Sequence, residues 1–248
     1  MFSFFSKKYF LKDQLEDFID IHNHILPGID DGAANLQASI ELIEGFNRLG
    51  INKFIATPHI MNDYYPNSPE SIGNALRILR EELNVQRKKN IQIKAAAEYM
   101  MDQAFLELMM KEDLLTLTDN KVLVEMSYFQ APINLNEILF QLQTRRYLPV
   151  LAHPERYAFF HSKSLNKYKA LKNRGCSFQL NILSLVGHYG KNIQEIALRL
   201  LEEEMIDFLG TDTHQMRHLE KLSSIKISKK QLQLILPVID KTKESFRF

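Results

Sequence analysis

Two histidines one residue apart, His22 and His24, close an apolar run, Phe18-Ile19-Asp20-Ile21, that Pro27-Gly28 brings to a stop. Ile19, Ile21 and Ile25 give this run the character of a short buried strand. Side chains at i and i+2 on a strand share a face, so both imidazoles project together, with Asp30 and Asp31 just beyond the turn. That set of donors suits one divalent metal. Taken alone, the pair also reads as two chance polar residues beside a loop, and the rest of the chain decides between the readings.

The same theme recurs. His59, Glu98, Glu125, His153, Asp212 and His214 each stand at or just past the end of a further apolar segment. Six of the seven strands expected below therefore end in a histidine or a carboxylate, and five of the eight histidines fall at such ends. Imidazoles mixed with carboxylates and without thiolates suit manganese, zinc or iron in a catalytic site. A catalytic ion takes roughly three protein ligands plus water, so this many donors calls for two or three ions sharing bridging carboxylates. Such clusters activate water as a nucleophile and clamp a phosphoryl group at its attacking and leaving oxygens. Arg156, three residues after His153, is the candidate to hold phosphate oxygens, since a guanidinium offers paired donors. Its plain alternative is a surface ion pair with Glu155 or another carboxylate. Arg217 and His218, just past His214, are candidates for a similar role on weaker grounds.

The elements that must position these groups alternate along the chain. Helical periodicity covers 36–49, closed by Gly50, then 68–89, 103–112, 136–147, 165–173 and 192–203, with a final helix from about 229 that Pro237 could interrupt. Between them lie strands at 51–57, 91–97, 121–125, 148–152, 177–182 and 206–210. Strands alternating with helices imply parallel βα units. With the opening strand they make seven, in 248 residues without a long linker or repeat, so the expectation is one α/β domain: a closed or nearly closed parallel β/α barrel. In that architecture the strands' C-terminal ends converge on one face, where such enzymes carry their sites. A doubly wound open sheet is the alternative, and no Gly-x-Gly-x-x-Gly turn supports it.

Composition narrows the class. A net charge of +1 gives no bias toward nucleic acid, and no apolar run approaches the roughly 18 residues of a membrane span. The lone Cys176 rules out an internal disulfide framework and fits a reducing cytoplasm. Ile182 stands six positions after Cys176, where a cysteine-dependent phosphatase loop wants arginine, and neither a Gly-x-Ser-x-Gly elbow nor a phosphate-binding Gly-x-x-x-x-Gly-Lys loop occurs. Residues 1–17 form an N-terminal arm. It reads either as packing on the barrel through Phe4, Phe5 and Phe10 or as a docking element for a partner or the membrane surface. Tyr64 and Tyr65 lie in an aromatic-rich loop beside His59, which permits a place at the substrate mouth without fixing one.

The segments Asp20-Ile-His-Asn-His24, Asp30-Asp31-Gly32, Ala56-Thr-Pro-His59, Leu151-Ala-His-Pro-Glu-Arg-Tyr157 and Thr211-Asp-Thr-His214 resemble the polymerase-and-histidinol-phosphatase (PHP) superfamily. Within it they are most similar to the bacterial metal-dependent protein tyrosine phosphatases of capsule and exopolysaccharide biosynthesis. The match runs from about Asp20 to Arg217 and leaves the N-terminal arm uncovered. It implies a distorted, TIM-barrel-like fold of seven strands and a trinuclear site, usually manganese-dependent. By matching motifs, His22, His24, Glu98 and Asp212 would hold one ion, with Glu98 bridging to a second completed by Glu125 and His153. Asp31, His59 and His214 would hold the third. The preference for Asp31 over Asp30 rests on the resemblance alone. Arg156 falls where the family has a phosphate-contacting arginine. Thr211-Asp-Thr-His214 departs from the Ser-Asp-Ala-His common in relatives, which affects the pocket around the ions and not their donors. The implied function is a cytoplasmic phosphatase acting on phosphotyrosine in a protein, such as the tail of a tyrosine autokinase of polysaccharide export. The rivals are a small-molecule phosphatase such as histidinol phosphatase, a nuclease, and a non-catalytic binding module.

Overall fold

The opening His-x-His run becomes a strand of only two residues, and what it pairs with at each side shapes the molecule. A computed structural model describes residues 7–111 and 114–248. Its strands are β1 (Lys8–Phe10), β2 (Ile19–Asp20), β3 (Lys53–Ala56), β4 (His59–Ile60), β5 (Gln92–Ala95), β6 (Glu98–Met100), β7 (Lys121–Glu125), β8 (Leu148–Ala152), β9 (Ser177–Asn181), β10 (Phe208–Gly210) and β11 (Lys226–Ser228). Its α-helices are α1 (Leu36–Asn47), α2 (Pro69–Val85), α3 (Gln103–Lys111), α4 (Leu135–Thr144), α5 (Asn166–Asn173), α6 (Lys191–Glu202), α7 (Met216–Ser224) and α8 (Lys229–Ser245). The fold is α/β. Six strands form a parallel sheet in the order β10-β9-β8-β7-β6-β4, and three form a second parallel sheet, β2-β3-β5.

The division into two sheets departs from the expected strand list for a local reason. Segments 51–60 and 91–100 each break in two, at Thr57-Pro58 and at Ala96-Ala97. Pro58 has no N–H to donate to a ladder. Ala96 N still donates to Ala56 O at 2.8 Å and Glu98 N to Pro58 O at 3.0 Å, so the chains stay in register across the break. At the opposite side, Asn23 bridges Thr213 in parallel, Asp212 N donates to His22 O at 2.7 Å and His24 N to Thr213 O at 3.0 Å.

Three further features were not expected. β1 and β11 pair antiparallel, joining the N-terminal arm to the residues just ahead of the expected final helix. Leu11 and Leu15 anchor the arm in the core; Phe10 is 39% exposed, with Lys226 and Lys12 over its ring, and Phe4 and Phe5 lie outside the described residues. A helix, α7, fills the stretch after His214 and buries His218, Leu219 and Leu222. Pro237 sits inside α8 without ending it.

Alternate residues of the parallel strands enter two separate clusters. Val122, Val124, Leu151, Phe178 and Leu180 pack outward among the helices, as strands covered by helices require. Ile19, Ile21, Ile55, Leu123, Val150, Ala152 and Phe208 form an inner cluster, stoppered by Leu117 and by Phe246 just beyond α8. Phe246 meets Phe208 edge-on, with ring centroids 4.8 Å apart. Each large side chain so removed from water contributes about 1.5–3 kcal/mol.

Candidate metal centre

Along β7, Leu123 belongs to the inner cluster; two residues on, Glu125 faces the same way at the strand's C-terminal end. Eight other polar side chains reach the same place from other strand ends. Glu98, at the start of β6, is at the middle. Its Oε2 lies 3.1 Å from His22 Nε2, 3.2 Å from His59 Nδ1 and 3.5 Å from His24 Nε2, and its Oε1 lies 3.1 Å from His153 Nε2. Asp212 Oδ1 lies 3.5 Å from His22 Nε2 and 3.4 Å from His24 Nε2. Glu125 approaches His59 Nδ1 at 2.9 Å and His153 Nε2 at 3.9 Å. Asp31 Oδ1 is shared by His59 Nε2 at 3.5 Å and His214 Nε2 at 3.4 Å.

All nine expected donors therefore meet, in four overlapping groups: His22, His24 and Asp212; His22, Glu98 and His153; His59, Glu98 and Glu125; and His24, Asp31, His59 and His214. Within each group one ligand atom per residue lies within 4.8 Å of the others. His24 joins the group expected to contain Asp31, His59 and His214 alone, and His59 also turns Nδ1 toward Glu98 and Glu125.

The donors fit metal ions by what they lack. His22 Nε2, His24 Nε2, His59 Nδ1, Glu98 Oε2 and Glu125 Oε1 are buried and have no hydrogen-bond partner among the described residues. A buried polar atom left unpaired costs about 1–3 kcal/mol, and here five of them point at one another. Charge tells the same story. Burial alone would raise Glu98 and Asp212, yet the neighbouring histidines, with Arg156 in the case of Asp212, hold both carboxyls well below the usual range. Burial disfavours a proton on His22, but Glu98 and Asp212 outweigh it and push its pKa up to about 9. The buried carboxylates thus demand positive charge between them, and divalent cations replace protons in such places.

Backbone geometry sets two donors at awkward angles. His153 and Asp212 both have positive φ, 35° and 52°, a region that costs about 1–3 kcal/mol for such residues. The price is local and turns each side chain from the end of its strand into the centre. β10 also passes so close that a Cβ on Gly210 would lie 2.6 Å from His22 Cβ and 2.8 Å from Gln179 Nε2.

Arg156 lies beside the centre and pairs with Asp212, not with Glu155. Its Nη1 donates to Asp212 Oδ2 at 2.7 Å, and its guanidinium lies between the rings of Tyr128 and Tyr189, 4.6 and 4.4 Å from their centroids. Arg217 does not. It is exposed on the first turn of α7 and absent from the cleft lining, because the helix turns His218 and Leu219 inward instead. The neighbours Asp30 and Asp31 also separate. Asp30 is buried, accepts from Gly32 N and His59 N, and bonds His24 Nδ1 at 2.8 Å, while Asp31 is half exposed and turned to His59 and His214.

The family of capsular polysaccharide synthesis proteins, CpsB/CapC, matches residues 18–231. The chain belongs to it. It is 34% identical over 205 residues to tyrosine-protein phosphatase YwqE of Bacillus subtilis, covering 80% of this chain and 78% of that one. It is 28% identical over 204 residues to tyrosine-protein phosphatase CpsB of Streptococcus agalactiae, with 80% and 83% covered. Among solved structures, one of the metal-dependent tyrosine phosphatases YwqE of Bacillus subtilis and CpsB of Streptococcus pneumoniae superposes with a TM-score of 0.74 at 31% identity, covering 82% and 84%. Histidinol phosphate phosphatase of Lactococcus lactis shares the fold alone, with a TM-score of 0.52 at 14% identity and coverage of 90% and 94%.

Behind the donors of this CpsB/CapC chain stands a layer the motifs do not reveal. Gln179 Oε1 lies 2.6 Å from His22 Nδ1, fixing that ring's outer nitrogen, and Asn181 Nδ2 donates to Asp212 Oδ2 at 2.7 Å. Asp20 accepts from Thr211 N at 2.9 Å and Thr211 Oγ1 at 2.7 Å, and burial pushes its carboxyl up to about 6 against those bonds. β9 is the strand expected to end without a histidine or carboxylate. The usable signal was the alternation of Gln179 and Asn181 with Phe178 and Leu180, two amides on the inner face of an otherwise buried strand. Above the donors opens a cleft of about 990 Å³, lined also by Tyr64, Tyr65, Tyr128, Tyr189 and His218. Tyr65 stacks on His59, centroids 5.6 Å apart. Cys176 lies in the core among the helices, its thiol pushed up to about 12 by burial, and takes no part.

Proposed function

We propose that this chain is a metal-dependent protein tyrosine phosphatase, the reading that the four overlapping donor groups beneath an arginine-bearing cleft carry. It is carried by one PHP-type domain, read as a closed barrel of seven strand segments; the bridge from Asn23 to Thr213 supports that closure. His22, His24, Asp31, His59, Glu98, Glu125, His153, Asp212 and His214 would hold two or three divalent ions, with Glu98 at the junction. Manganese is the metal proposed, with iron or zinc compatible with the same donors. Divalent ions at such a centre acidify water and offset the charge on phosphoryl oxygens.

The protein's own groups do the rest. Arg156 is anchored through Nη1 by Asp212, lies over two tyrosine rings and lines the cleft, so its remaining guanidinium donors would meet the equatorial oxygens there. Gln179 and Asp30 orient the imidazoles of His22 and His24 from behind. No side-chain nucleophile is needed, and the buried Cys176 offers none.

The proposed substrate is a phosphotyrosyl protein, specifically a tyrosine autokinase of polysaccharide export in the cytoplasm. No helix among the described residues is long and apolar enough to cross a membrane. Docking by the N-terminal arm remains part of this proposal. The deciding assay uses a phosphotyrosyl peptide and histidinol phosphate with the purified protein, before and after chelation and after manganese is restored. Peptide hydrolysis that vanishes on chelation and returns with manganese is expected. Turnover of histidinol phosphate alone would overturn the protein-phosphatase reading, and full activity of a folded His153→Ala variant would overturn the metal centre.

A further inference from the structure

Phe129 is 93% exposed and Ile133 101%, the most exposed large apolar side chains among the described residues. Both belong to the loop from Ser127 to Asn134, between β7 and α4, which carries no charged residue. Tyr64, 75% exposed, stands on the loop after β4. All three line the cleft whose floor is the donor cluster. Leaving such side chains in water brings nothing to folding, since burial would favour each by about 1.5–3 kcal/mol. Apolar groups gathered at a cleft mouth mark a surface that something else covers. Outside the donor cluster and Arg156, the charged side chains among the described lining residues are Asp63 and Asp102, both acidic.

We propose that Phe129 and Ile133, with Tyr64, form a specificity-determining lip that takes an apolar side chain next to the phosphotyrosine of an extended peptide and rejects an acidic one. The inference rests on the phosphotyrosine reading and names its substrate class more narrowly. A phosphoryl group on the floor of the cleft obliges the peptide carrying it to cross the rim. An extended chain advances about 3.3–3.6 Å per residue, and the proposal places the residues flanking the phosphotyrosine against these three side chains, which line the same cleft as the donors. A small aryl phosphate has no flanking residues. Asp63 and Asp102, which line the same cleft, disfavour a carboxylate in it and leave the apolar loop to supply the attraction.

The test compares the metal-loaded protein with a Phe129→Ser/Ile133→Ser variant, whose replaced side chains are solvent-exposed. Two phosphotyrosyl peptides differing in one flanking residue, leucine or glutamate, are assayed beside para-nitrophenyl phosphate. The affinity of the same peptides bearing a non-hydrolysable phosphonate is measured by calorimetry. For the leucine peptide the variant should show KM and phosphonate Kd raised on the order of tenfold, with kcat unchanged. Para-nitrophenyl phosphate should be unaffected, and the glutamate peptide poor with both proteins. Equal loss on every substrate, or no loss on any, overturns the proposal. So does a variant that keeps wild-type peptide kinetics but no longer co-sediments with phosphatidylglycerol vesicles, which would assign the lip to a membrane. Wild-type protein that hydrolyses nothing yet prefers the leucine phosphonate would remove the phosphatase reading and keep the lip. Wild-type protein that hydrolyses all three substrates without regard to the flanking residue would do the reverse.

Discussion

Leu123 and Glu125 sit two residues apart on one strand and face one interior, and they belong to two different kinds of molecule. Around Leu123 the interior is apolar, packed by Ile21, Ile55, Val150 and Phe208 and closed by Phe246. Around Glu125 the interior is polar and incomplete: buried nitrogens and oxygens face one another without a hydrogen bond among the described residues. The lower half contributes stability by removing apolar area from water; the upper half spends some of it on crowded charge and on left-handed backbone at His153 and Asp212. A parallel sheet makes this division possible, because every strand delivers its last residue to the same end. Damage to the two halves should therefore be separable.

The largest separation is expected at Glu98. Replacing it with glutamine keeps the shape but removes the carboxylate that faces His22, His24, His59 and His153. Turnover of a phosphotyrosyl peptide should fall on the order of a thousandfold in kcat, the upper range for one group that manages transition-state charge. The metal-free protein should still unfold in one cooperative urea transition, at a lower midpoint, because the lower half is untouched while a carboxylate that its histidines stabilise is lost. A fall in turnover of less than tenfold would show that the centre does not depend on its middle carboxylate. Phe246→Ala makes the opposite cut. Emptying the stopper should cost about 3–5 kcal/mol in urea unfolding while each folded molecule keeps its kcat. Equal loss of kcat would mean that the two halves are mechanically coupled.

Eight of the nine candidate donors were legible locally, as a histidine or carboxylate where an apolar run stops, and Asp31 was chosen by resemblance. Relations across the chain were not. Asp30 and Asp31 are chemically alike and adjacent, and only the fold of the turn, where a Cβ on Gly32 would strike the carbonyl of His24 at 2.1 Å, sends one behind His24 and the other into the cleft. Gln179 and Asn181 carry no charge and so escaped a search for metal ligands, although they hold His22 and Asp212 in place. The tyrosine cage of Arg156 draws Tyr128 and Tyr189 from loops far apart in sequence. Among the elements, the parallel α/β pattern was visible in its periodicity. The pairing of Lys8–Phe10 with Lys226–Ser228 was not, since three residues are too few to show a period and the partner lies at the other end of the chain.

A smaller effect should appear at the rim of the lower half, at Asp207. Burial alone would raise its carboxyl, but Lys172, Lys241 at 2.8 Å and the Phe178 backbone N–H at 2.8 Å outweigh that and lower it. A carboxyl lowered on folding stabilises above its unfolded pKa, near 3.9, and loses that contribution as pH falls through the folded value. Asp207→Asn should thus cost about 1–2 kcal/mol near neutrality, with the exposed lysines discounted for screening, and progressively less below about pH 4. Urea titrations of both proteins across that range check the sign: a cost that grows on acidification would contradict it.

The smallest effect separates the two arginines that the sequence offered for phosphate. Arg156 is held by Asp212 and two aromatic faces at the mouth of the donor cluster, whereas Arg217 stands in solvent at the start of α7. A positive charge in the first turn of a helix opposes the helix dipole, so losing it is mildly favourable, by about 0.3–1 kcal/mol at low salt. Arg217→Ala should therefore leave kcat/KM within twofold, an order-of-magnitude expectation for an exposed side chain away from the site, and should not lower stability. Arg156→Lys keeps the charge, yet lysine lacks the planar fork and cannot lie flat between the rings. Its kcat should fall at least about tenfold, because what the cage preserves is orientation rather than charge. If the two variants behaved alike, the aromatic cage would be packing and nothing more.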